Sequence, residues 1–239
     1  MKRKNFKNKQ IEILNNDILN TIEYLEQSKL IYYFSGLNIQ EYQKDGHKFG
    51  EISWYNHVGG RLNCGKSFST LDQYEYILKN NSYTLTLFDG SIIRENALDK
   101  KIEIDGASIF KDNILISSSQ LWWPSPFDNI DIDPELELID YYDIYKSDKE
   151  WFKNIKMRSP VRIDYDSAND TEIHPASHMH TQHHECRIKV NKPLCFNAFI
   201  SFIFKNFYPY KSLDYKNLTR RNFNTKNLND KDKDIIMYI

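Results

Sequence analysis

Ser159-Pro160-Val161-Arg162-Ile163-Asp164-Tyr165-Asp166, followed after a polar loop by His174-Pro175-Ala176-Ser177-His178-Met179-His180-Thr181-Gln182-His183-His184-Glu185-Cys186-Arg187, decides how this chain is read. Val161, Ile163 and Tyr165 alternate with Arg162, Asp164 and Asp166. A period of two predicts a strand with one apolar and one charged face. The Asp, Asn, Ser and Pro residues of 167–176 predict a loop, and 177–190 a second extended segment. Leu194, Phe199, Phe202, Ile203 and Phe207 then predict an apolar helix packed on the sheet.

Outward from that stretch the pattern is mixed. Ile11, Leu14, Ile18, Ile22 and Leu25 recur at three and four residues, which predicts a helix over 8–28. Residues 49–55 read as a strand, and Ser69 or Thr70 caps a helix running to Leu78. Tyr83 to Phe88 alternates Thr with apolar residues, and Asp89-Gly90 supplies a hairpin turn into Ser91–Arg94. Short strands are expected at 101–104, with Asp105-Gly106 as the next turn, and at 113–118. Trp122-Trp123-Pro124-Ser125-Pro126 reads as a loop or sheet edge, because two prolines cannot sit inside a central strand. Residues 135–145 fit either helix or strand, and a helical turn is expected from Ser147 or Asp148 through Trp151 and Phe152. The sum is an α+β fold: an N-terminal helix and a C-terminal apolar helix on a curved, mostly antiparallel sheet. Residues 1–212 form one domain in this reading, and 213–239 a basic tail that either is mobile or holds a partner.

The chain has 239 residues, 40% of them hydrophobic, enough for a packed core. The net charge of −1 argues against coating nucleic acid by charge alone, but the charge is uneven. Residues 2–9 and 205–226 are basic, whereas 128–150 carry nine acids against Lys146 and Lys149. Basic stretches of this kind suit a polyanion, and acidic ones a protein partner. Three cysteines without a CxxC suit a reducing cytoplasm. No apolar run reads as a signal peptide or a membrane span.

Five of the seven histidines, at 174, 178, 180, 183 and 184, fall within eleven residues. Imidazole both binds metals and exchanges protons near neutral pH, so the site is sought here. In one reading His178, His180, His184 and Glu185 hold a divalent metal such as zinc through nitrogen and oxygen donors. That pattern partly resembles the first motif of cupins, but the glycines framing that motif are missing. In a second reading the cluster is structural, a surface hairpin or buried imidazoles satisfied by backbone, and the chain is a non-enzymatic interaction subunit of a defence or toxin-antitoxin complex. In a third reading no cofactor is needed. His178 and His180 are acid and base for cleaving RNA, Arg162 stabilises charge on the phosphoryl oxygens, and Asp164 orients an imidazole. His174, beside Pro175, is a further candidate on the approach loop.

Most of the chain, and specifically residues 159–209 from Ser159-Pro160 through HPASHMHTQHHECR to Asn206-Phe207-Tyr208-Pro209, resembles a bacterial family of domains of unknown function. The order Arg-x-Asp, loop with His, His-x-His, apolar helix also resembles, more distantly, the TumE family of toxin-antitoxin toxins. That resemblance implies a toxin or anti-phage defence role, with RNA or another phosphodiester as substrate and a protein partner or antitoxin. It carries Arg162, Asp164, His178 and His180 into the site. The long N-terminal half has no counterpart in those small toxins.

Three other motifs weigh less. Gly60-x4-Gly65-Lys66-Ser67 matches a phosphate-binding loop literally but lacks a preceding apolar strand in a βαβ context. Cys64 has no partner that spacing identifies and reads as a small core residue. Trp122-Trp123 can stack on bases, though such a pair is more often core.

Overall fold

The computed structural model describes residues 9–44, 46–55, 70–96, 108–111, 114–127, 136–148, 150, 155–156, 158–171, 173–181 and 186–225. Expectations for 101–106, 151–152, Gly60 to Ser67, His183, His184 and Glu185 lie outside these residues.

The first helix, α1 (Lys9–Gln27), follows from its three-and-four spacing, with Ile11, Leu14, Ile18, Ile22 and Leu25 all buried. Two strands come next that the sequence reading lacks: β1 (Ile31–Phe34) and β2 (Leu37–Lys44). Gly36, at φ 100, makes the turn between them, in a region that an L side chain rarely enters. β3 (His47–Trp54) and α2 (Thr70–Lys79) lie close to where the pattern put them. β4 (Leu85–Leu87) and β5 (Ile92–Asn96) form the expected hairpin. Gly90 at its tip has φ 80, and Asp89 Oδ1 accepts from the Ser91 amide.

The chain continues through β6 (Ser108–Lys111), β7 (Ile114–Trp123), α3 (Leu138–Ser147), β8 (Val161–Asp166), β9 (Ser177–Thr181), β10 (Ile188–Lys189) and α4 (Phe196–Phe207). All ten strands join one sheet, every described pairing antiparallel. β7 is its spine: β5 and β6 share one of its edges, and β8 runs along the other, followed by β9 and the edge strand β10. Past the short β6, β3 also approaches β5, which curves the sheet. The α+β reading thus describes the fold, and where the pattern of 135–145 fitted either helix or strand the structure has the helix α3 from Leu138.

Helices cover both faces. α1 and α4 pack on Ile52, Leu115, Trp122, Val161, Ile163, Tyr165 and Met179, where Phe196, Phe199, Ile200, Ile203 and Phe204 fill the core. α2 and α3 pack on the reverse face, against Ile92, Leu121 and Trp123. Three expectations need correction. Trp122 and Trp123 are no loop: they are the buried last residues of the best-paired strand, and the prolines begin only where the ladder ends. The strand expected to stop at 118 runs on through Ser119 and Gln120 because those polar residues are interior. The C-terminal segment is held as far as it is described. Leu213 and Leu218 enter the α1–α4 core, Arg221 pairs with Asp17, and the Leu115 amide donates to the Asn224 carbonyl at 3.0 Å.

Candidate functional site

Register brings the site together. β8 pairs with β9 so that Asp164 faces His178 and Arg162 faces His180. Directly opposed residues on neighbouring strands project from the same face, so all four side chains converge. β7 adds a residue that sequence reading missed. Ser119 stands opposite Asp164, and its hydroxyl donates to Asp164 Oδ1. Nothing local marks Ser119, since its partner lies 45 residues away.

The face that alternation marked as charged is not in water. Asp164 is 3% exposed, His178 2% and His180 7%. Asp164 Oδ2 is the hub: Arg162 Nε donates to it at 2.8 Å, His180 Nε2 lies at 3.2 Å and His178 Nε2 at 3.8 Å. Burial alone would raise the Asp164 carboxyl, but Arg162 first, then the two imidazoles, hold it well below the usual carboxylate range. It is therefore a buried carboxylate at physiological pH.

His178 shows the opposite balance. Burial pushes its imidazole down, and the neighbouring His180 and His174 add to this. The attraction of Asp164 recovers only part, leaving it at about 4. The ring is thus neutral near pH 7. Its Nδ1 lies 2.7 Å from the Pro175 carbonyl, which can only accept, so Nδ1 carries the single proton. The lone pair of Nε2 is left facing a carboxylate oxygen, an arrangement that repels unless a cation sits between. One ligand atom from each of Asp164, His178 and His180 lies within 4.8 Å of the other two. Two donors to one ion with bonds of about 2.1 Å sit roughly 3–3.5 Å apart, so small rotations close the set. Pro175 and Ser119 would then hold ligands from behind, as outer partners of metal ligands do.

His174 packs edge-on against His178 with ring centroids 4.7 Å apart, and its Nδ1 meets the Asn169 carbonyl at 3.0 Å. It is half-buried on the loop, outside the donor set. Arg162, with 28% of its side chain exposed, is the most open of the four core members and marks the mouth.

The site face carries one more acid. Glu51 on β3 is 2% exposed and has no hydrogen-bonding or charged partner among the described residues. Burial raises its carboxyl to about 7. The folded protein therefore binds this proton more tightly than the unfolded chain. The resulting stability is complete below pH 4.5 and is lost as pH rises to about 7. Glu51→Gln should leave the urea midpoint unchanged near pH 4.5 and raise stability by about 2–3 kcal/mol at pH 8. Equal effects at both pH values would show that Glu51 is not buried as an acid.

Fold and site together define an α+β domain with a buried centre of two histidines and one carboxylate, backed by an arginine. The chain belongs to a family of uncharacterized conserved proteins (DUF2290), which it matches over residues 34–238, a span that contains every residue of the centre. No curated protein and no solved structure matches it. Among the described residues no helix is long and apolar enough to cross a membrane.

Proposed function

We propose that this chain is a metal-dependent phosphodiesterase acting on RNA, with His178, His180 and Asp164 holding a divalent ion and Arg162 holding the substrate phosphate. The observation that carries the reading is the locked His178 ring, whose Nε2 lone pair converges with His180 Nε2 on Asp164 Oδ2. Two imidazoles and one carboxylate suit zinc, iron or manganese and leave further coordination positions for substrate. Such an ion would stabilise charge on a phosphoryl oxygen and make a water a nucleophile at neutral pH. The chain's own residues do the rest: Ser119 and Arg162 fix the carboxylate, Pro175 fixes an imidazole, and the guanidinium nitrogens not spent on Asp164 meet the phosphate. Of the metal set expected from sequence, His178 and His180 lie in this cluster, Asp164 joins them, and His184 and Glu185 lie outside the described residues.

A second reading keeps the metal-free acid–base chemistry. It is favoured by one observation: His180 Nδ1 is buried without a partner among the described residues, while Nε2 lies 3.2 Å from Asp164. If Nε2 carries the proton, Asp164 orients the ring and Nδ1 is a base. His178 suits this scheme poorly, because both its nitrogens are turned inward and the ring is buried. In either reading the distant likeness to TumE toxins suggests a toxin or defence activity restrained by a protein partner.

Elemental analysis of the purified protein separates the two. About one divalent ion per chain is expected, lost in His178→Ala and His180→Ala. RNA cleavage should stop in chelator and return with zinc or manganese. Cleavage by metal-free protein would establish the second reading. Absence of both cleavage and growth arrest, with metal restored, would remove the nuclease assignment.

A further inference from the structure

On the side of α4 turned away from the sheet lies a cavity of about 390 Å³. Leu194, Ala198 and Phe202 give it an apolar wall, and Lys192, Lys205 and Arg220 stand on its rim. Arg221 also lines it but is spent on Asp17. Lys192 donates to Asn222 Oδ1 at 3.3 Å, and Lys205 Nζ sits 4.9 Å from the centre of the Tyr215 ring. Neither these lysines nor Arg220 has a carboxylate partner among the described residues, and no acid lines the cavity. Three unneutralised cations around an apolar wall select an anion with a flat apolar body. A nucleotide has that form, with its phosphate at the rim and its base against Phe202. The volume falls within the small-ligand range of roughly 300–1,000 Å³, and admits one nucleotide rather than a duplex.

Its position relates it to the centre described above. β10 is an edge strand, and Lys189 on it stands opposite His178, so it projects from the face of the site. Lys192 is three residues further on, at most about 10 Å of extended chain. Arg162, Lys189 and Lys192 therefore mark a cationic path from the centre, around the sheet edge, to the cavity. We propose that the cavity is an anchoring subsite for single-stranded RNA, binding one nucleotide while the strand continues over β10 to the His178–His180–Asp164 centre. The course of the strand rests on the RNA-cleaving reading, whereas nucleotide capture by the cavity does not.

The test uses the full chain, a labelled 2′-O-methyl phosphorothioate RNA of about twelve nucleotides, slow to cleave by either a 2′-hydroxyl or a water nucleophile, and a cleavable dinucleotide too short to span both places. Lys205→Glu/Arg220→Glu should weaken the RNA at least about tenfold at low salt and reduce the salt slope by roughly 1.4, the share of two phosphate contacts on a single strand. Dinucleotide cleavage should be unchanged, and Arg220→Lys should bind within about threefold of wild type, because a point charge suffices at a phosphate rim. Unchanged RNA binding in the charge-reversed protein overturns the proposal. So does a loss confined to free adenosine monophosphate, which would make the cavity a site for free nucleotides. If wild type with metal restored does not cleave the dinucleotide yet the charge-reversed protein loses the 2′-O-methyl strand, the cleavage reading fails and RNA capture by the cavity stands.

Discussion

Asp164→Asn is expected to empty the centre of metal and to lower RNA cleavage by two to three orders of magnitude or more, the scale on which single groups at a charged transition state act. The change is isosteric. The amide oxygen can still accept from Arg162 Nε, and the side chain keeps its place beside Ser119. What disappears is the negative charge that gathers the cations of the site. The variant should still melt cooperatively, though below wild type, because the cations of the site hold this carboxylate ionised in the fold. Asp164→Ala is the contrasting control. It leaves Arg162 and His180 without the carboxylate that pairs them, and breaking a buried pair in this way costs about 3–5 kcal/mol. A wild-type level of metal and cleavage in Asp164→Asn would remove the carboxylate from any catalytic account, metal-dependent or not.

The second large effect concerns the core. Trp122→Ala should destabilise the protein by about 3–5 kcal/mol, with RNA binding by the folded fraction unaltered. Trp122 is 1% exposed and stacks on Phe207 at 4.2 Å between ring centroids. Its indole N–H donates to the Tyr208 hydroxyl at 3.3 Å, and that hydroxyl in turn donates toward Asp89 and Ser91. Truncation opens a void beneath α4 and removes the indole donor from the Tyr208 hydroxyl, which keeps its bonds to the β4–β5 hairpin. A tryptophan that stacked on bases would give the reverse result, lost binding with unchanged melting. Thermal melts and anisotropy on the same preparation distinguish the two.

Much of the fold was legible because period is a local property. The three-and-four spacing of Ile11 to Leu25, the alternation of Val161 to Asp166 and the turn at Asp89-Gly90 each reflect a few neighbouring residues meeting one surface. β1 and β2 escaped because Ile31 to Lys44 alternate weakly: β1 is mostly half-buried, and β2 runs along an edge of the sheet. β7 was cut short because Ser117 to Gln120 look like surface residues, and only their neighbours on β5 and β8 make them interior.

The sequence by itself determined that Arg162 and Asp164 share one face of a strand, that His178 and His180 share one face of another, and that apolar helices flank the sheet. These follow from the fixed geometry of an extended chain and a helix, whatever lies around them. Only the tertiary structure decided that β8 and β9 are neighbours, in the register that sets Asp164 against His178. A slip of one residue would have turned the histidines to the opposite face. It also decided the chemistry. A carboxylate in water would leave an imidazole to titrate normally, but this one is buried with two imidazoles, one tied to Pro175. Charge and lone pairs face each other there because burial excludes the water that would separate them.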